Sequence, residues 1–196
     1  MPTTSLVRFS TITLAAISLL VLPACSVNVK KGEGGEDKKV DIETPFGGIH
    51  VDKGADVRDT GLAVYPGARV KQKDEPGQEK SANVTMSGMG YGLKVVAIQY
   101  ESDDSPSKII AYYKDQLKKY GNVLECHTAK HGGSFNRDHG DDSDSRELKC
   151  EGDNSGSTVE LKVGTQSNQH IVSIEPQDKG ADFALVYVKT YGKDTI

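Results

Sequence analysis

Leu93-Lys94-Val95-Val96-Ala97-Ile98-Gln99-Tyr100, followed after a short polar break by Ser105-Pro106-Ser107-Lys108-Ile109-Ile110-Ala111-Tyr112-Tyr113-Lys114-Asp115-Gln116-Leu117-Lys118-Lys119-Tyr120-Gly121, decides the fold. The first stretch is β-branched and apolar on both faces, as expected of a central strand covered at least in part on both sides. In the second, the period changes. Ser105 is expected to cap a helix, Pro106 suits its first position and Gly121 suits its end. Ile109, Ile110, Tyr112, Tyr113, Leu117 and Tyr120 fall on one stripe at helical spacing, and Lys108, Lys114, Asp115, Lys118 and Lys119 face water. A stripe of this width on a lone helix predicts packing against a sheet.

Strands are expected on either side of this pair. Val40-Asp41-Ile42-Glu43-Thr44 and Ile49-His50-Val51-Asp52 alternate around Pro45-Phe46-Gly47-Gly48, which predicts a hairpin over 39–53. Its buried face would hold Val40, Ile42, Ile49 and Val51, and His50 would point to solvent. Leu62-Ala63-Val64-Tyr65-Pro66-Gly67-Ala68 reads as a short extended piece ending in a turn. A further strand is expected near Ala82–Ser87. Beyond the helix, strands are expected at Val123–Thr128, Glu147–Glu151, Thr158–Val163, His170–Glu175 and Phe183–Lys189, as a meander. The fold class is α+β: a mostly antiparallel sheet covered by one amphipathic helix and preceded by a β-hairpin, forming a single domain over 39–196.

The chain has 196 residues with 24 Lys and Arg against 28 Asp and Glu, a mildly acidic balance without the basic stripe that nucleic acid would require. It contains no Trp. Cys126 and Cys150 lie in the first two strands expected after the helix, and their spacing is not Cys-x-x-Cys. A structural disulfide between them would close a loop of roughly 25 residues, worth about 3 kcal/mol in the chain-entropy picture.

Between the two cysteines lies the one segment rich in chemical groups. His127, His131, His139, Asp138, Asp141, Asp142 and Asp144 fall within residues 127–144. These are donors that zinc, copper or nickel accept, which makes His127, His131, Asp138, His139 and Asp141 the candidate metal ligands. Their spacing matches neither His-Glu-x-x-His nor a calcium loop, and a solvated surface hairpin tip is the expected reading, with the metal site as its alternative. Gly133-Ser134-Phe135 is not a nucleophile elbow, and Gly88-Met89-Gly90-Tyr91-Gly92 lacks the lysine and following helix of a phosphate loop. No catalytic residue and no cofactor is therefore expected.

The N-terminus carries a different kind of signal. Arg8 precedes an apolar run from Ile12 to Leu22, about half of the roughly 20 residues a spanning helix needs. It ends in Leu22-Pro23-Ala24-Cys25, a small residue directly before a cysteine. This arrangement resembles the lipobox of bacterial lipoproteins. The resemblance implies cleavage after residue 24, acylation of Cys25 and attachment to a membrane of the cell envelope. Ser26 after the cysteine implies the outer membrane, facing the periplasm. Residues 26–38, with their glycines and mixed charges, are then expected to form a flexible tether.

A second resemblance spans residues 62–121. Val64-Tyr65-Pro66-Gly67-Ala68, with Ser105-Pro106 and Ala111-Tyr112-Tyr113-Lys114-Asp115-Gln116-Leu117, is similar to bacterial envelope domains that pair a Tyr-Pro-Gly-Ala turn with a Ser-Pro-capped helix. It transfers no activity and no functional residue. The expected function is a lipid-anchored, non-catalytic binding module with a protein partner in the envelope. The alternative is a metal-binding envelope protein that uses loop 127–144.

Overall fold

The computed structural model describes residues 26–31, 37–52, 54–72, 80–129, 147–150 and 154–192. Among them, ten strands form one mostly antiparallel sheet. In chain order they are β1 (Ser26–Lys31), β2 (Asp37–Thr44), β3 (Gly47–Asp52), β4 (Arg69–Val70), β5 (Ser81–Gly88), β6 (Tyr91–Ser102), β7 (Leu124–Thr128), β8 (Thr158–Thr165), β9 (Asn168–Pro176) and β10 (Ala181–Tyr191). The spatial order is β1-β2-β3-β5-β6-β10-β9-β8-β7, with β4 beside the far end of β6. Helix α1 (Pro106–Leu117) continues as a 3-10 turn over Lys118–Tyr120.

Helix α1 carries the chain from the sheet centre at β6 to the far edge at β7, so it crosses the strands between them. Ile109, Tyr113 and Leu117, at i, i+4 and i+8, are fully buried. They meet Ile98 and Tyr100 of β6, Leu161 and Val163 of β8, Val172 and Ile174 of β9, and Phe183 and Leu185 of β10. Ile110 and Tyr112 are half-buried, while Tyr120 lies beyond the stripe and is exposed. Ser105 holds the cap position, but its hydroxyl makes no cap bond; it lies 3.1 Å from the Ser107 hydroxyl. Pro106 lacks an N–H, and the Ser105 carbonyl accepts from Lys108 at 3.1 Å.

The segment Leu62–Ala68 is bonded to the tyrosines of α1. The Tyr113 hydroxyl accepts from the Tyr65 N–H at 3.0 Å and donates to the Ala63 carbonyl at 3.2 Å. Tyr112 donates to the Val64 carbonyl at 3.4 Å, and Tyr65 donates to Asp104 at 3.0 Å. Burial among these rings pushes the Tyr113 phenol above its ordinary range, so it stays a donor at any physiological pH. Tyr65, Tyr112, Tyr113, Tyr100 and Phe183 form one aromatic cluster with ring centroids 5.0–6.5 Å apart. The Tyr-Pro-Gly-Ala turn and the helix tyrosines are thus two halves of one contact.

Three expectations require correction. Residues 26–31 are not tether: β1 pairs with β2 from Ser26↔Glu43 to Lys30↔Lys39, because Val27 and Val29 alternate in step with Ile42 and Val40. The strands expected within 39–53 do not precede the sheet but belong to it. β2 pairs with β3, β3 pairs with β5, and the ladder runs on into β6. Residues 147–150 form no strand, and β7 pairs directly with β8 (Cys126↔Glu160). Residues 147–150 instead lie beside β7, where Cys150 is bonded to Cys126 with Cα atoms 5.4 Å apart.

The sheet is covered unequally. The core under α1 contains no residue of β1, β2, β3 or β5. Those strands form a wing whose apolar residues share the face opposite α1. Val29, Val40, Val51, Val84, Val95 and Val188 are successive ladder partners, and so are Val27, Ile42, Ile49, Met86 and Leu93. These two rows run across the strands and hold the wing by cross-strand packing.

Two stability changes follow. Tyr113→Phe keeps the ring but leaves the buried Tyr65 N–H without its acceptor, at a cost of about 1–3 kcal/mol. Urea denaturation should show a lower midpoint with an unchanged slope. Joint replacement of Cys126 and Cys150 by Ala should cost roughly 3 kcal/mol, read as a lower melting temperature than that of the oxidised protein and close to that of the reduced one.

Candidate functional site

Of the candidate metal ligands, His127 lies among the described residues; His131, Asp138, His139 and Asp141 lie outside them. His127 sits on β7, half-exposed, with its backbone N–H donating to the Asn154 side-chain oxygen at 2.7 Å. Its Nε2 is 3.7 Å from Glu125 Oε1, and Glu125 is already ion-paired with Lys114 of α1. Because β7 alternates, Glu125 and His127 share the α1 side, while Cys126 is fully buried on the other. Among the described residues, no three His, Cys, Asp or Glu side chains converge as a metal would need. Lys114, Lys118, Asn122 and Glu125 line a shallow depression beside His127. There, Lys118 pairs with Asp115 at 3.2 Å.

One buried titratable group sits at a position the sequence does not single out. His170 on β9 is buried, and its Nδ1–H donates to the Thr60 carbonyl at 2.8 Å. Its ring stacks on Tyr120 with centroids 3.8 Å apart and leans on Tyr187 at 5.0 Å. Tyr120 and Lys119 both donate to the Gly61 carbonyl, at 2.6 Å and 3.1 Å. Gly61 ends the 3-10 turn Val57–Thr60 with φ 70°, and a Cβ there would stand 2.5 Å from the Tyr120 hydroxyl. The alternation His170, Val172, Ile174 contains the signal that this imidazole faces inward. Its partners come from residues 60, 61, 119, 120 and 187, which no local pattern joins.

Burial lowers the His170 pKa, the Thr60 carbonyl partly opposes this, and the Lys119 charge adds to the lowering. The imidazole is therefore neutral at neutral pH and acts as a clasp between the 3-10 turn and the sheet. Its other ring contacts are Tyr120 and Tyr187.

A second enclosed pair lies on the opposite face of the sheet. Lys162 and Glu160, two residues apart on β8 and therefore on one face, are 3.1 Å apart and nearly buried, beside Cys126 and Leu124 of β7. Each neutralises the other locally, the condition under which charges persist away from water. His50 is exposed on β3, with Nδ1 2.7 Å from Asp41 Oδ1 of β2.

Compared with known proteins, the chain matches no family model, no curated protein and no solved structure. Among the described residues, no helix is long and apolar enough to cross a membrane.

The lowered His170 pKa fixes the sign of one pH effect. Above about pH 6.5 the imidazole is neutral in both folded and unfolded chains and the clasp contributes fully. As pH falls below that, the unfolded chain takes up the proton first, and stability declines until the folded pKa is passed. Unfolding free energy measured from pH 7 to pH 5 should therefore fall in the wild type. In His170→Phe, which keeps a stacking ring but cannot titrate, it should start lower and fall less steeply.

Proposed function

We propose that this protein is a lipid-anchored component of the bacterial cell envelope, acylated on Cys25, that serves as a non-catalytic binding module. The observation that carries this reading is the short apolar run ending at Ala24-Cys25. The folded sheet begins one residue later, at Ser26. The Cys126–Cys150 bond suits an oxidising compartment beyond the inner membrane. Ser26 in place of Asp favours delivery to the outer membrane on its periplasmic side.

The titratable side chains of the half covered by α1 support binding over catalysis. Lys114 with Glu125, Lys162 with Glu160, and Lys71 with Asp182 are ion-paired, and His170 is occupied as a clasp. These are arrangements that brace a scaffold. β1 lies at an edge of the sheet and pairs with β2 on one side, which suits strand addition by an envelope protein.

Cys25→Ala should leave the purified protein without an acyl group by intact mass, and the protein should move from the membrane pellet to the soluble fraction. Full retention in the pellet would refute the anchor. Crosslinking in intact cells should trap an envelope protein. Stoichiometric zinc or copper on the protein as isolated, with no crosslinked partner, would establish the metal-binding alternative instead.

A further inference from the structure

We infer that the end of the wing bearing Ser26 is a membrane-contact rim, which seats in the interfacial layer of a phospholipid bilayer beside the anchor. This inference deepens the lipid-anchor reading and rests on it. The ladder register defines the rim. Ser26, Glu43, Gly48, Ser87, Gly92 and Tyr191 are successive partners across β1, β2, β3, β5, β6 and β10, so they form one row at one end of the sheet. The chain enters β1 in that row, and Cys25 is one peptide unit, about 3.8 Å between Cα atoms, from Ser26. An acyl group on Cys25 would therefore hold this end at the bilayer, with little slack.

Among the described residues, the five most exposed large apolar side chains lie at this same end. Phe46 is 71% exposed in the β2–β3 turn and Met89 is 84% exposed in the β5–β6 turn. Val27, Tyr91 and Tyr191 are 64%, 57% and 46% exposed on the flanking strands. Soluble surfaces seldom gather such residues at one place without a partner. The two turns are joined, since the Met89 N–H donates to the Phe46 carbonyl at 3.2 Å. A Cβ on Gly47 would stand 2.0 Å from the Ser87 carbonyl oxygen, so glycine is required for this approach.

Met89 and Gly90 both have positive φ, 52° and 87°. That two-residue hairpin turn ordinarily takes Asn-Gly, and a long apolar side chain there costs backbone energy and points to function.

The charge pattern agrees with a lipid partner. In the Ser26 row and the next row inward (Val27, Ile42, Ile49, Met86, Leu93, Thr190), Glu43 is the one charged residue. Charges return in the third row with Asp41, Lys94 and Lys189. The Lys189 ammonium lies 4.9 Å from the Tyr191 ring centroid. An apolar tip, tyrosines behind it and a lysine one layer back reproduce the depth order of a bilayer interface.

The test exploits the absence of Trp from the chain. Phe46→Trp, Met89→Trp and, at the opposite end of the sheet, Asp178→Trp are each made in the full-length chain and processed in bacteria. Each purified protein is reconstituted into phosphatidylethanolamine–phosphatidylglycerol vesicles with brominated acyl chains. Emission from the Phe46→Trp and Met89→Trp variants should shift to the blue and lose at least half its intensity to the bromines, while that of Asp178→Trp should change little.

Acylated protein quenched no more at positions 46 and 89 than at 178 would overturn the rim and leave the anchor standing. Blue-shifted emission without bromine quenching, together with a concentration-dependent dimer, would overturn it in favour of a second copy. Intact mass reads the anchor separately. Protein without an acyl group that is still quenched at 46 and 89 would keep the rim and refute the anchor, and loss of both signals would refute both.

Discussion

One hydroxyl group holds the covered half of this structure together. Tyr113 sits at the centre of the buried stripe of α1, and its oxygen both accepts from Tyr65 and donates to the carbonyl of Ala63. A phenol can serve both partners only while protonated, and its burial guarantees that state. The bond ties the crossover helix to the segment ahead of β4, so α1 and residues 62–68 cover the sheet as one layer. Tyr65 and Tyr112 then complete the aromatic cluster against Phe183. The polar turn of Pro66-Gly67, with Gly67 at φ 79°, returns the chain to the sheet edge at Arg69.

The other half obeys a different constraint. Beyond β6, no helix of the described residues packs on the wing, and its aliphatic residues line the face away from α1. Cross-strand rows of valine and isoleucine, together with ladder hydrogen bonds, are its means of cohesion. A sheet with one half bound into a core and the other half extended puts its stability and its contact surface in different places. The point where the chain joins the sheet, the apolar turns and the charge-poor rows all coincide at the wing's end. The buried imidazole and the buried charge pair, in contrast, belong to the covered half and its margin: His170 and the Glu160–Lys162 pair are satisfied within the fold.

Much of the architecture is legible in residue order. A run apolar on both faces marks β6, strand-like runs mark β5, β8, β9 and β10, and helical spacing with Pro106 and Gly121 marks α1, because these patterns act over a few residues. The same local rules misjudge residues 26–31, where glycines and charges just downstream obscure a two-valine alternation. They also misjudge 147–150, where Leu148 and Cys150 alternate but no neighbouring strand accepts them, because β8 has taken the place beside β7. Pairing competition is non-local, and a short polar segment carries too little pattern to reveal its outcome.

What the sequence by itself determined is the chemistry available and the periodic elements: one amphipathic helix, a central apolar strand, a cysteine after a short apolar run, and a loop rich in His and Asp. Tertiary structure alone decided which of these meet. It brought Tyr113 to Ala63, fifty positions away, and His170 to Thr60, a hundred and ten away. It left His127 beside a glutamate already paired with lysine, and it set Phe46 and Met89 side by side at the end where Ser26 begins. The physical reason is that a hydrogen-bonded register fixes every cross-strand neighbour at once, while composition and spacing specify only what each strand carries into that register.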